Sequence, residues 1–81
     1  MDTADFETIR AELAQVVSEN IRESPEKIKL TSNFKYDLRV PPGEMHVLFD
    51  EVDESFQVEL ERSEIHTFKD LFQQVCDRRI S

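Results

Sequence analysis

The sequence predicts a small all-α domain in which three main helices and one short helix pack as a bundle. Apolar residues recur at spacings of three and four in three separate segments, the period of a helix that buries one stripe. No segment alternates apolar and polar residues for long enough to make a half-buried strand. The 81 residues also contain one glycine, no internal repeat and no low-complexity tract. One hydrophobic core usually serves about 50 to 200 residues, so residues 1–81 are read as a single domain with a modest core.

The first helix is expected over residues 4–22. Phe6, Ile9, Leu13, Val16, Val17 and Ile21 form its apolar stripe, while Glu7, Arg10, Glu12 and Glu19 fall elsewhere. Asp2, Thr3 and Asp5 give a polar start and negative charge where the unpaired N–H groups of the first turn favour them. Ser24 and Pro25 then suit a short new turn, with serine as cap and proline at its first position. Ile28, Leu30 and Phe34 are the apolar pegs of the long connection that follows. A loop of that length without pegs would be out of place in so small a domain.

A second helix is expected over residues 43–57. The residue before a proline avoids helical geometry, so Val40-Pro41-Pro42 makes an extended approach. Pro42 itself fits the first turn, where its missing N–H costs nothing. At about 100° per residue, Met45, Leu48, Phe49, Val52 and Phe56 share the inward face, and His46, Val47, Asp50, Asp53 and Glu54 point outward. Val47 is an aliphatic residue among acids and a candidate contact residue. A short helical turn fits around residues 62–65. Thr67, with Asp70 three residues on, reads as a capping pair for the last helix. Phe68, Leu71, Phe72 and Val75 form its buried stripe, and Arg78 and Arg79 stand at its end, where cations complement the helix dipole.

The net charge of −8 is local. Between Glu44 and Glu61 there are seven acids (Glu44, Asp50, Glu51, Asp53, Glu54, Glu59 and Glu61) and no lysine or arginine; the rest of the chain is close to neutral. Such a field repels nucleic acids and anionic lipid surfaces, which need a basic footprint, and attracts basic proteins. No apolar run approaches the roughly 20 residues of a membrane span. The first ten residues have neither a basic start nor an apolar signal core. A cytoplasmic protein is expected, with no nucleic acid or membrane as partner.

Residue types that carry catalysis are missing from any useful arrangement. Cys76 is the one cysteine and is expected to be a small buried residue. His46 and His66 are twenty residues apart, start no metal-ligand spacing, and are read as surface histidines. A single glycine leaves no phosphate-cradling loop, and the carboxylates of the acidic helix have no apolar pocket to raise their pKa values. Asp50 lies one turn from His46 and can pair with it. Asp50, Glu51, Asp53 and Glu54 lie within one and a half turns, but a regular helix cannot wrap calcium as a dedicated loop does. The expectation is a protein with no enzymatic activity, no cofactor and no metal.

The order of features resembles the acyl carrier protein family from about Phe6 to Val75. The points of match are the first helix, then "SPEKI" and "SNF" before "YDL", then an acidic helix ending "DESFQVEL", then "IHTFKDLFQQV". In that family the loop phenylalanine packs in the core and an aspartate-leucine pair introduces the second helix. That helix ends in an acidic run followed by phenylalanine, and a threonine-led stretch opens the last helix. Phe34, Asp37, Leu38, Phe56 and residues 67–71 take those places. The resemblance implies an acyl-carrier-protein-like four-helix bundle whose second helix meets basic patches on partner enzymes. By that resemblance Glu44, Val47, Asp50, Glu51 and Glu54 are the partner-binding face.

The chain departs from the family at its functional centre. The family's Asp-Ser-Leu motif, whose serine bears the phosphopantetheine arm, falls here on Pro41, Pro42 and Gly43. Pro42 stands at the serine position and has no hydroxyl. Ser32 precedes the Asp-Leu pair, Ser55 lies at the far end of the acidic helix and Ser63 follows it, so none replaces the missing serine. Arg39 occupies a loop position where the family often has glycine. The reading is a monomeric carrier-like domain that carries no arm and docks basic surfaces, biosynthetic enzymes among them. Two other readings stay open: a genuine acyl carrier of fatty-acid, lipid or polyketide-type biosynthesis modified at another serine, and a helical oligomerisation domain.

Overall fold

Ile9, Leu13 and Val17 recur every four residues along helix α1 (Thr3–Ile21), and all three are buried. They make one apolar ridge. In the computed structural model, which describes residues 3–79, helices α2 (Pro42–Phe56) and α3 (Phe68–Arg79) both pack on α1, as does a 3-10 turn at Pro25–Lys27. A second 3-10 turn, Arg62–Glu64, leads into α3. The domain is all-α. Among the described residues no strand forms, and one isolated antiparallel bridge joins Asn33 to Thr67. The radius of gyration, 11.7 Å, is that of a chain of this length folded as one body, about 12 Å.

α2 contributes Leu48, Phe49, Val52 and Phe56 to the core, and α3 contributes Phe68, Leu71, Val75 and Cys76. Met45 and Phe72 are partly buried against them. Phe6, expected in the buried stripe, is 40% exposed. It lies in the first turn of a 19-residue helix that is longer than the 15- and 12-residue helices packed on it. Asp2 lies outside the described residues, as do the side chains of Thr3, Asp5 and Arg79.

Of the expected pegs in the connection, Ile28 and Phe34 are buried, whereas Leu30 is exposed. Leu30 fastens the loop through its backbone instead, its carbonyl accepting from the Lys69 N–H at 2.9 Å. Phe34 does most of the fastening. Its ring meets Phe49 edge to face at 6.1 Å between centroids, its N–H donates to the His66 carbonyl and its carbonyl accepts from Val40 N–H. The turn after it is closed by side chains. Asn33 Oδ1 accepts from the N–H groups of Lys35 and Tyr36, and Asp37 Oδ2 accepts from Asn33 N–H at 2.7 Å. Asp37 therefore has a structural task, and Leu38 packs half-buried behind it.

Thr67 and Asp70 cap α3 as expected. The Asp70 N–H donates to Thr67 Oγ1, and Asp70 Oδ2 accepts from the N–H groups of His66 and Thr67. These bonds, that from His66 first, hold the Asp70 carboxyl below the usual carboxylate range. The cap's stabilisation is thus present above the unfolded pKa and lost as pH falls through the lower folded value. Ser24, by contrast, stands at the cap position of the first 3-10 turn without a side-chain cap bond.

Both α1 and α2 stop one residue before the periodicity suggests, at Ile21 and Phe56. Each is followed by a residue in the left-handed region, Arg22 (φ 61°) and Gln57 (φ 54°). The next N–H then reaches back to the helix: Glu23 to the Ser18 carbonyl and Val58 to the Asp53 carbonyl, at 3.0 and 3.1 Å. This is the usual closure of a helix C-terminus, normally made with glycine because a Cβ strains the left-handed backbone. Replacing Gln57 by glycine should stabilise the domain by about 0.5–1 kcal/mol and raise Tm by about 2–8 °C. A thermal melt in which Gln57→Gly lowers Tm would contradict the strained-cap reading.

Candidate docking face on the second helix

α2 begins at an exposed knuckle. Pro41 is extended (φ −64°, ψ 153°) and occupies the cap position, and Pro42 is the first helical residue. Pro41, Pro42 and Gly43 are all exposed. A Cβ on Gly43 would meet nothing within 4 Å, so packing does not dictate glycine there. Beside this knuckle a surface cleft of about 600 Å³ opens between the loop after Asn33 and Ile65, with Phe34, Val40 and Met45 among its walls.

From that start the helix presents Glu44, Val47, Glu51 and Glu54 in a single line, at spacings of three and four. All are exposed, Val47 by 58%. Ser55 donates to Glu51 Oε2 at 3.2 Å. Among the described residues no basic side chain pairs with Glu44, Glu51 or Glu54. The fifth residue of the expected face, Asp50, is also exposed, but it lies on the flank of this line and has partners.

The main partner comes from outside the acidic stretch. Arg62, in the turn before α3, reaches back to α2 and donates from Nη2 to Asp50 Oδ1 at 2.6 Å and to Asp53 Oδ2 at 2.9 Å. Its Nη1 meets His46 Nδ1 at 3.1 Å, and the guanidinium stands over the Phe49 ring, 5.7 Å from the centroid. On its other side the ring's Nε2 lies 3.4 Å from Asp50 Oδ2. Asp53, expected to point outward with Glu54, has a side chain only 30% exposed against 57% for Asp50. Its Oδ1 is buried with no hydrogen-bond partner among the described residues.

The Arg62 hydrogen bond, with a smaller contribution from His46, holds the Asp50 carboxyl below its ordinary range. No rule of sequence spacing singles out Arg62. It is the first base after seven acids, and its contacts span nine to sixteen residues across a turn. The other expected positions fall as the sequence places them. Cys76 is buried, His46 and His66 are exposed, Ser55 and Ser63 lie on the surface away from the start of α2, and Ser32 is buried with its Oγ accepting from Lys29 N–H. Among the described residues no three of His, Cys, Asp and Glu are grouped to hold a metal, and no helix is long and apolar enough to cross a membrane.

No family model matches this chain, and no curated protein matches it.

The Asp50 shift has a direct check. In Arg62→Gln the Asp50 carboxyl should titrate at a higher pH than in the wild type, followed by side-chain NMR. The part of the stability owed to this pair is present above the unfolded value, near 3.9, and is lost as pH falls through the depressed one. An Asp50 titration unmoved by the substitution would show that the contact does not persist in solution.

Proposed function

We propose that this chain is an acyl-carrier-like helical bundle that bears no acyl arm and docks basic protein partners through α2. The observation that carries the reading is the exposed line Glu44, Val47, Glu51 and Glu54, whose acids have no ion-pair partner among the described residues, on a helix that opens with Pro42 in place of a modifiable serine. Three carboxylates around one aliphatic contact suit a partner with a row of cations flanking an apolar spot. Biosynthetic enzymes that receive carrier proteins are the class of partner the resemblance suggests.

Several features support the carrier-like reading of the bundle. The loop phenylalanine, Phe34, is in the core, and Phe56 closes the acidic helix from the inside. Asp37 and Leu38 lie in the turn that leads to α2. Arg39 has a left-handed backbone (φ 52°) at the position where the family often has glycine. The Thr67–Asp70 cap opens the last helix. The proposal is non-enzymatic, and it needs neither cofactor nor metal.

Binding of a lysine-rich peptide to the full chain, titrated at several salt concentrations, tests the reading. Exposed charges are screened over about 8 to 10 Å at ordinary ionic strength, so affinity should fall as salt rises. An exposed pair contributes about 0.2–1 kcal/mol, and a reversal replaces attraction by repulsion. The double variant Glu51→Lys/Glu54→Lys should therefore bind about tenfold more weakly. Affinity unchanged by that double reversal would sink the proposal.

A further inference from the structure

We propose that Arg62 is an internal counter-ion that withholds Asp50 and Asp53 from partners, so that α2 is read through Glu44, Val47, Glu51 and Glu54 alone. The inference rests on the docking function proposed above and names what sets its selectivity. The guanidinium already makes on Asp50 and Asp53 the charge-assisted bonds that a partner's arginine would make there. To reach those acids a partner cation has to displace two such bonds, the His46 contact and the stacking on Phe49.

The backbone that delivers Arg62 is held in place as well. Glu61 N–H donates to Gln74 Oε1 at 2.7 Å, and Gln74 Nε2 donates back to the Glu61 carbonyl at 3.0 Å. Two residues earlier, the Glu59 carbonyl accepts from Arg78 Nη1 at 2.9 Å. After Arg62 its own carbonyl accepts from Ile65 N–H at 3.1 Å. The segment is thereby stapled to α3 on one side, and the Arg62 side chain is only 31% exposed. A surface arginine on a loose loop would exchange its partners; this one starts from an anchored position.

The consequence is a narrowed footprint. From Glu44 to Glu54 the remaining acids span ten residues, about 15 Å of helix, in a line rather than a broad patch. Partners with cations in a row are favoured over those with a compact cationic cluster.

The test is a double-mutant cycle on the full chain with an oligolysine peptide at fixed low salt. Asp50→Asn in the wild type should change affinity by less than about 1.5-fold, while Glu54→Gln weakens it by about two- to fivefold. Arg62→Gln should tighten binding by about two- to fivefold, and Asp50→Asn added to it should remove most of that gain. The proposal is overturned if Asp50→Asn weakens the wild type as much as Glu54→Gln does, or if the two single effects simply multiply in the double variant. The first comparison leaves Arg62 in place, so it decides the matter even where Arg62→Gln fails to fold. Sensitivity to both acids would remove the counter-ion and keep the docking reading. Absence of binding in every variant would remove both.

Discussion

The burial of Phe34 is the contact on which the placement of α2 depends. Between Ile21 and Pro42 the chain runs for twenty residues with only a three-residue 3-10 turn. Ordering such a segment costs about 1–2 kcal/mol per residue in backbone entropy, and a long irregular connection survives only where buried side chains and paired backbone groups offset that cost. Phe34 supplies both. Its fully buried ring contributes about 1.5–3 kcal/mol of transfer free energy, and its N–H and carbonyl tie the loop to His66 and Val40. The adjoining bonds from Phe68 N–H to the Ser32 carbonyl and from Lys69 N–H to the Leu30 carbonyl bring the start of α3 to the same place. Once the loop is pinned there, α2 begins at Pro42 with its apolar stripe on α1, and its acids have nowhere to go but outward.

The acidic stretch then poses an electrostatic problem that the fold solves in two ways. Acids along the outer line are left in water, where mutual repulsion is weak and screened. Asp53 is different, because its position at the edge of the buried face leaves it half-covered and a carboxylate there needs a partner. Arg62 provides one and in the same stroke takes up Asp50 and covers the Phe49 ring. Structural need at Asp53 and the charge presented by the flank of α2 at Asp50 are thus joined in one side chain.

Much of this was legible in the residues. Helical periodicity located the three helices to within a residue or so, because each buries a regular stripe and nothing competes with it. The Thr67–Asp70 cap was visible for a local reason: its donors and acceptors lie within four residues of each other. The ends of α1 and α2 were not, since Arg22 and Gln57 adopt a backbone that neither side chain advertises. Phe6 was misjudged because apolarity says nothing about how far the neighbouring helices extend, and Leu30 because in an irregular loop no periodicity says which apolar residue turns inward. The turn angle placed Val47, Asp50 and Glu54 on the outside but put Asp53 there too, and Glu44 and Glu51 joined the expected face only through the family resemblance; the Arg62 contact is tertiary and has no local signal.

The measurement that bears most directly on the proposal of a carrier-like domain without an arm is intact mass. The chain would be weighed as purified from cells and again after incubation with coenzyme A and a broad-specificity phosphopantetheinyl transferase. A triple variant, Pro41→Asp/Pro42→Ser/Gly43→Leu, would be treated alongside. The expected result is an unchanged wild-type mass in both samples and a single phosphopantetheine adduct on the variant: a carrier-type surface whose attachment point is lost. An adduct on the wild type, or none on the variant, would contradict the account.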